Sequence, residues 1–417
     1  MSLNIENKKI AVTGLGIVTP SGIGKRRFLA NLKAGRSFIK EITRFDSSQY
    51  PSRIAGQIDD LEKYSHVSER LLKKIDVFSH MALIACEAAL QDAQIDIKNE
   101  DPNLVGIFLG NAIGGWLYAE TELRDLYIEG RKGVSPYMAS AWFPAAPQGQ
   151  VSIYYGIKGF SKTIVADRAS SLMAIGYARK TLNKNKLNMI MAGGMEAPVT
   201  PYALLCCNTY GCLSTNNALA ESAYRPFDKN RGGFVIGEGA GIVIMENVER
   251  AKNRGANIQA LISGYASTCD GVHRIHPDTE GTQLARAIKL ALTDAGADIS
   301  EIDYISLDGL AVDEWDNSEV TAVKSVFGER AKEIPVSSPK AAFGNLLGAS
   351  GAVDLIITIL SIENNLVFPT LNLEEPAVAG LNYICGQPKE YSINKALIIS
   401  RGRGGINSAM VVEKQEA

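Results

Sequence analysis

A layered α/β fold made of two similar halves is what this sequence predicts, and three observations predict it. Short apolar runs alternate along the chain with longer stretches of helical periodicity. The alternation seen over residues 1–255 begins again near Ala256 and continues over residues 256–417. No linker composition separates the two, so both halves are expected in one compact body, with central mixed sheets covered by helices.

The elements follow in order. Ile10, Ala11 and Val12 read as a first strand, which the pattern Gly14-Leu15-Gly16 is expected to end in a tight turn. A dinucleotide-binding reading of those glycines fails, because the third glycine and the acidic residue on a second strand are missing. Lys25, Arg26 and Arg27 open the next helix, either as a solvated face or as a docking point for an acidic carrier protein. Residues 70–93 form one long helix with Leu71, Ile75, Phe78, Ala82 and Ala85 on its buried face. A strand over 104–109 runs into Gly114-Gly115-Trp116, and the helix that begins at Trp116 carries Trp116, Ala119 and Leu123 on one face. Core packing and a functional wall are equally good accounts of that face. Residues 134–150 combine Tyr137, Met138, Trp142 and Phe143 with Pro136, Pro144 and Pro147, a composition that suits an interface and interrupts regular helix. Strands over 187–192, 261–265 and 304–307 and a helix over 282–295 complete the pattern.

The stretch that organises the chain is 163–179. A short strand, Thr163-Ile164-Val165, is followed by Leu172, Ile175, Ala178 and Leu182 at helical spacing, so a sharp strand-to-helix turn falls near Arg168. Such an elbow lifts one side chain out at a helix N-terminus, which favours an anion or a thiolate. A nucleophile belongs there. The turn instead carries Asp167 and Arg168, and a guanidinium that stays protonated cannot attack an acyl group.

Composition excludes several functions. With 43 basic against 45 acidic residues there is no basic field for nucleic acid. The apolar run at 355–360 is far short of the ~20 residues that a membrane span needs, and the N-terminus shows no signal peptide, so a cytoplasmic location without membrane contact is expected. The six cysteines lack metal-ligand spacing and are expected as buried thiols, and neither a metal nor a cofactor is expected.

Several motifs together carry a resemblance over nearly the whole chain: Val12-Thr13-Gly14-Leu15-Gly16, Arg225-Pro226-Phe227-Asp228 with Arg231, Val336-Ser337-Ser338-Pro339-Lys340, Gly348-Ala349-Ser350-Gly351, and the glycine-rich end from Gly402 to Asn407. In these the chain resembles the β-ketoacyl-acyl-carrier-protein synthases of the thiolase fold. The resemblance implies a duplicated αβαβα fold with two mixed five-stranded sheets, its halves spanning residues 1–255 and 256–417. Members that condense acyl chains use a Cys and two His. By motif match the Cys position holds Arg168, the first His position Asp308 and the second Asn345, while the family lysine survives as Lys340. None of His66, His80, His273 and His276 falls at either position. A thiolate beside imidazole donors drives this reaction class, and both are missing here.

The pattern is similar to the chain length factors of type II polyketide synthases, which pair with an active ketosynthase and lack its Cys. Their usual replacement is Gln, so Arg168 is a variation. Arg401 and Arg403 stand where active enzymes carry gating phenylalanines. The resemblance implies a catalytically silent subunit with no condensing activity of its own, in a heterodimer with a ketosynthase and in transient contact with acyl carrier protein. It places Trp116, Ala119 and Leu123 along a chain-length tunnel, and Tyr137, Met138, Trp142 and Phe143 belong to the expected interface. Two alternatives stay open: a priming decarboxylase of malonyl-carrier protein that uses Lys340, Asp308 and Asn345, and a scaffold subunit that does not set length. For the degenerate site, an ion pair between Arg168 and Asp308 is expected, with Asp167 as the competing partner.

Overall fold

Strand β1 (Ile10–Thr19) runs straight through Gly14 and Gly16, where a tight turn was expected. The glycines serve a close approach. A Cβ on Gly16 would lie 1.8 Å from the Ala85 carbonyl oxygen, and one on Gly14 would lie 2.2 Å from that of Ala89, so only glycine lets the strand press onto the helix behind it. The pairing with the neighbouring strand slips between Val12 and Gly14, a bulge that turns the strand without ending it.

The computed structural model describes residues 9–415 except Asn185. The expectation that residues 1–8 carry no targeting signal lies outside the described residues. The further strands are β2 (Val105–Gly110), β3 (Lys162–Ile164), β4 (Met189–Glu196), β5 (Gly239–Asn247), β6 (Ala260–Cys269), β7 (Tyr304–Ser306), β8 (Pro335–Ser337), β9 (Lys395–Gly402) and β10 (Ile406–Glu413). The helices used below are α1 (Val77–Asp92), α2 (Trp116–Glu129), α3 (Met138–Trp142), α4 (Ala146–Tyr155), α5 (Ser170–Leu182), α6 (Pro201–Tyr210), α7 (Thr282–Ala295), α8 (Asp313–Phe327) and α9 (Ser350–Asn364).

Both expected five-stranded sheets are present. The first has the order β3-β2-β4-β5-β1 and the second β8-β7-β9-β10-β6. Each strand of the first thus has a counterpart five places later in the second. In each sheet the first three strands pair parallel, and the last two pairings are antiparallel, so only the fourth strand runs against the rest. The sheets are continuous with one another, because β1 and β6 pair antiparallel through Ile10, Ala11 and Val12 with Ile262, Leu261 and Ala260. With the short strands Gly22–Ile23 and Asn382–Tyr383, they make one twelve-stranded sheet.

Helices α5 and α9 lie at the centre, packed on each other and on strands of both halves, while α1 covers the first sheet and α7 the second. The layers explain the sequence of α9. Its apolar run is long enough to cross a membrane, with 18 residues at Leu347–Asn364, yet 89% of it is buried inside the protein, which identifies a core helix between two sheets.

Three expectations are corrected. The helix over 70–93 is broken, because Asp76 leaves the helical region and accepts the Phe78 N–H at 3.0 Å, capping α1 from Val77 onward. Pro147 starts a helix where it was expected to interrupt one, since the first turn of α4 has no intrahelical use for its missing N–H. Of the six cysteines only Cys86 is fully buried; Cys206, on the outward face of α6, and Cys269, at the end of β6, are exposed. In the basic cluster, Lys25 pairs with Glu363 at 3.1 Å and Arg27 donates to the Tyr64 hydroxyl at 2.6 Å, so two of its three charges are engaged within the chain.

Candidate functional site: a buried arginine at the strand-to-helix elbow

The expected elbow is present, between edge strand β3 and α5. Its tightness is visible at Asp167, whose φ of +51° puts a non-glycine residue in the left-handed region. Ser170, the first residue of α5, ties the turn together. Its Oγ accepts the Ala166 N–H at 2.8 Å and lies 2.6 Å from the Asp167 carbonyl and 3.0 Å from that of Asn111, donating to one of the two. From this turn the Arg168 side chain enters the interior, where the residue is 1% exposed.

Two carboxylates and an aromatic ring surround it. Arg168 Nη1 donates to Asp167 Oδ2 at 3.2 Å, its Nε stands 4.0 Å from Asp308 Oδ2, and its guanidinium lies over the Trp315 ring with 4.9 Å to the centroid. The expected ion pair with Asp308 is present at 4.0 Å, but the hydrogen bond goes to the competing partner Asp167. Asp308 is shared among other groups. Its Oδ1 accepts the Arg401 N–H at 3.3 Å and is 3.9 Å from Lys340 Nζ, so its carboxylate answers to two cations as well as a backbone donor. Burial works against the charge on Arg168, but the Asp167 and Asp308 carboxylates outweigh it and hold the guanidinium pKa above its ordinary value. Nε and Nη2 have no hydrogen-bond partner among the described residues.

Lys340 donates to Asp354 Oδ2 at 2.6 Å, with both side chains fully buried. Desolvation opposes its charge, yet Asp354 and Asp308 outweigh it and raise its pKa. Asn345 is a structural clasp: its Oδ1 accepts the Leu347 N–H at 3.0 Å and the Ser350 hydroxyl at 3.1 Å, and its Nδ2 faces the Tyr224 hydroxyl at 3.4 Å. Glu319 accepts the Asp308 and Gly309 N–H groups at 2.7 and 3.1 Å, and burial followed by the nearby Asp308 charge pushes its pKa up to about 8.

None of the four histidines joins this cluster. His80 is buried in α1 with its pKa pushed down to about 4 by desolvation, and His276 pairs with Glu314 at 2.7 Å while stacking on His273. The thiol that feels Arg168 is Cys212, and burial raises its pKa. Trp315, Glu319, Asp354 and Cys212 lie far from the elbow in sequence and carry no motif, so only the fold identifies them as its neighbours.

Arg401 and Arg403 diverge. Arg401 is buried, with Nη1 donating to the Trp315 carbonyl at 2.9 Å, Nε to Asn407 Oδ1 at 3.2 Å, and its guanidinium 4.8 Å from the Trp315 centroid. Arg403 lies at the surface over Tyr210, 3.8 Å from the ring centroid, and its backbone N–H donates to Asp167 Oδ2 at 2.6 Å. Of the pair, only Arg403 touches the elbow.

A second region lies around α2. Trp116 meets Tyr202 with ring centroids 4.5 Å apart and Trp142 edge-on at 6.2 Å. Gly115 allows this approach, since a Cβ there would come within 2.6 Å of the Ala141 carbonyl oxygen. Glu120 pins α2 to α6 by accepting the Thr200 hydroxyl at 2.5 Å and the Tyr202 N–H at 3.0 Å. Ala119 is buried, but Leu123 is 39% exposed, so the expected face passes from core to surface along the helix. Tyr137 and Phe143 are exposed, and Met138 and Trp142 are half-buried.

Synthases are among the known proteins that this chain resembles. The model of the β-ketoacyl synthase N-terminal domain matches residues 7–251, and that of the C-terminal domain matches residues 259–374. The chain is 35% identical to 3-oxoacyl-[acyl-carrier-protein] synthase 2 of Staphylococcus aureus (strain N315) over 413 residues, 99% of this chain and 100% of that protein. Among solved structures, it superimposes with a TM-score of 0.91 at 31% identity on a chain of a type II polyketide synthase acyl-carrier protein in complex with its ketosynthase bound to the hexaketide, covering 98% of this chain and 100% of that one. The ishigamide ketosynthase/chain length factor gives a TM-score of 0.90 at 26% identity, with 98% and 100% covered.

Proposed function

The chain belongs to the β-ketoacyl synthase family, and we propose that within it the protein is a catalytically silent chain length factor, the partner of an active ketosynthase in a type II polyketide synthase. One observation carries the reading: a fully buried arginine occupies the elbow from which the family's nucleophile acts. A guanidinium cannot become an acyl carrier, and it fills the space that a thioester would need. The positions matched to the two histidines hold Asp308 and Asn345, and Lys340 is tied to Asp354, so neither an imidazole nor a free lysine stands at this elbow.

The role that remains is geometric. The growing poly-β-ketone stays on the partner's Cys and extends into a tunnel between the subunits, whose floor is set by Trp116, Ala119 and Leu123. The aromatic segment with Tyr137, Met138, Trp142 and Phe143 faces that partner, and acyl carrier protein visits the pair transiently. Enclosure keeps a reactive chain from water and early cyclisation. The exposure of Phe143 and Leu123 in the single chain supports a covered face, as does the likeness to the ishigamide ketosynthase/chain length factor. The repeated halves meet near residues 255–256, and the complex works in the cytoplasm without cofactor or metal.

The test is co-expression with an active type II ketosynthase, followed by mass spectrometry of the product and an assay of malonyl consumption. Product formed only by the pair supports the reading. Malonyl-carrier protein consumed by this chain alone replaces it with the priming decarboxylase.

A further inference from the structure

The carboxylate of Asp167 has no part in length control, yet the turn is built around it. Its left-handed backbone, φ +51°, is a conformation that Gly, Asn and Asp tolerate best. Its Oδ2 accepts the Arg403 N–H at 2.6 Å and the Arg168 Nη1–H at 3.2 Å. It precedes the first turn of α5, a thirteen-residue helix whose unpaired N–H end favours negative charge. At 22% side-chain exposure, Asp167 stands between solvent and the buried guanidinium, beside the Arg403 side chain stacked on Tyr210.

We propose that Asp167 is the elbow's internal anion: its carboxylate, placed just before α5, takes the Arg403 backbone donor that a thioester carbonyl would need in order to be polarised at this turn. The elbow is therefore closed to acyl transfer for a reason separate from the missing nucleophile. A backbone donor that already serves a carboxylate at 2.6 Å is not available to a weaker neutral carbonyl acceptor. The negative charge also opposes any thiolate placed next to it. The proposal shares with the preceding reading only the silence of the elbow.

The test supplies the nucleophile and varies the plug. Arg168→Cys, Asp167→Asn with Arg168→Cys, and Asp167→Gly with Arg168→Cys are compared in the full chain, because Asn and Gly both accept the left-handed turn. Two probes are used, with the elbow peptide followed by mass spectrometry. With iodoacetamide the introduced thiolate attacks the methylene, a C–S bond forms, iodide leaves, and the thiol proton goes to buffer. With acetyl-pantetheine the thiolate attacks the thioester carbonyl, the acetyl group passes to the protein sulfur, and pantetheine leaves as a thiolate that takes a proton.

Acetyl transfer is expected to rise about tenfold or more from the single variant to the Gly variant, with the Asn variant between them. It is expected to rise further than alkylation, since only acyl transfer uses the freed donor. Equal acetylation rates overturn the proposal, and so does a rise in which alkylation gains as much as acetylation. If the Gly variant does not fold, the Asn variant against the single variant decides. Neither probe needs a partner subunit or a polyketide, so the result stands apart from length control.

Discussion

The two halves of the molecule agree most closely where backbone meets backbone. On β1, a Cβ at Gly14 would lie 2.2 Å from the Ala89 oxygen and 2.7 Å from the Ala93 Cβ; on β6, a Cβ at Gly264 would meet the oxygen of Ala291 and the Cβ of Ala295 at the same two distances. The next residue repeats the likeness, for Leu15 N–H donates to Asp92 and Tyr265 N–H to Asp294, each at 2.8 Å. The loops after β3 and β8 share nothing of the kind. One makes the Asp167–Arg168 elbow directly before α5, while the other passes through Lys340, Asn345 and a left-handed Leu347 before α9. Strand-on-helix contact tolerates one geometry, so duplication preserves it. Loops that carry side-chain chemistry at the sheet end have no such constraint, and they diverge.

The largest effect should come from breaking the shared geometry. Gly14→Ala and Gly264→Ala each force a methyl group against a helix carbonyl and should each cost about 3 kcal/mol by overpacking, read from denaturation midpoints. If one is tolerated and the other is not, the two halves are not equivalent in packing. Of the same size is Arg168→Met, which leaves Asp308 and Asp167 without the guanidinium and should cost roughly 3 kcal/mol, as expected when one partner of a buried charge cluster is removed. Arg168→Cys should leave condensation at background, because both histidine positions remain Asp308 and Asn345; turnover by that variant alone would overturn the account of the elbow.

A pH titration sharpens the comparison at smaller scale. Burial raises the pKa of Glu196 in the first half and of Glu319 in the second from an ordinary 4.5 to about 8. For a carboxyl whose folded pKa lies above its unfolded one, the native state holds the proton longer. Its contribution is complete below about pH 4.5 and is lost as pH rises through about 8. The melting temperature should therefore fall between pH 5.5 and 8.5, by roughly 3 °C or more for a chain of this size. Glu319→Gln and Glu196→Gln should each flatten part of that slope, and a slope unchanged by both rules out these groups. The smallest energetic effect belongs to Trp116→Ala, about 1 to 2 kcal/mol for a half-buried ring, while the product of the co-expressed pair should lengthen by at least one two-carbon unit. Ala119→Phe should shorten it. Normal assembly with unmoved product length in both variants leaves the scaffold reading.

The sequence by itself determined the alternation of strand and helix, the repeat, the elbow at Arg168 and the absence of a nucleophile from it, because these rest on local periodicity and residue chemistry. It misjudged Gly14 and Gly16, since a glycine that ends a strand and one that admits a helix look alike until the helix is in place. Pro147 was misread for a related reason: whether proline starts or stops a helix depends on which side of it the helix lies. Only the tertiary structure decided the partner of Arg168. A side chain with five donors can satisfy any carboxylate within reach, and the turn at Asp167 places one closer than Asp308, which Arg401 and Lys340 also draw on. Only the structure brought Trp315, Glu319 and Asp354 to the same cluster as Arg168, because residues more than a hundred positions from the elbow are carried to it by how the two sheets close around α5 and α9, and no local pattern encodes that closure.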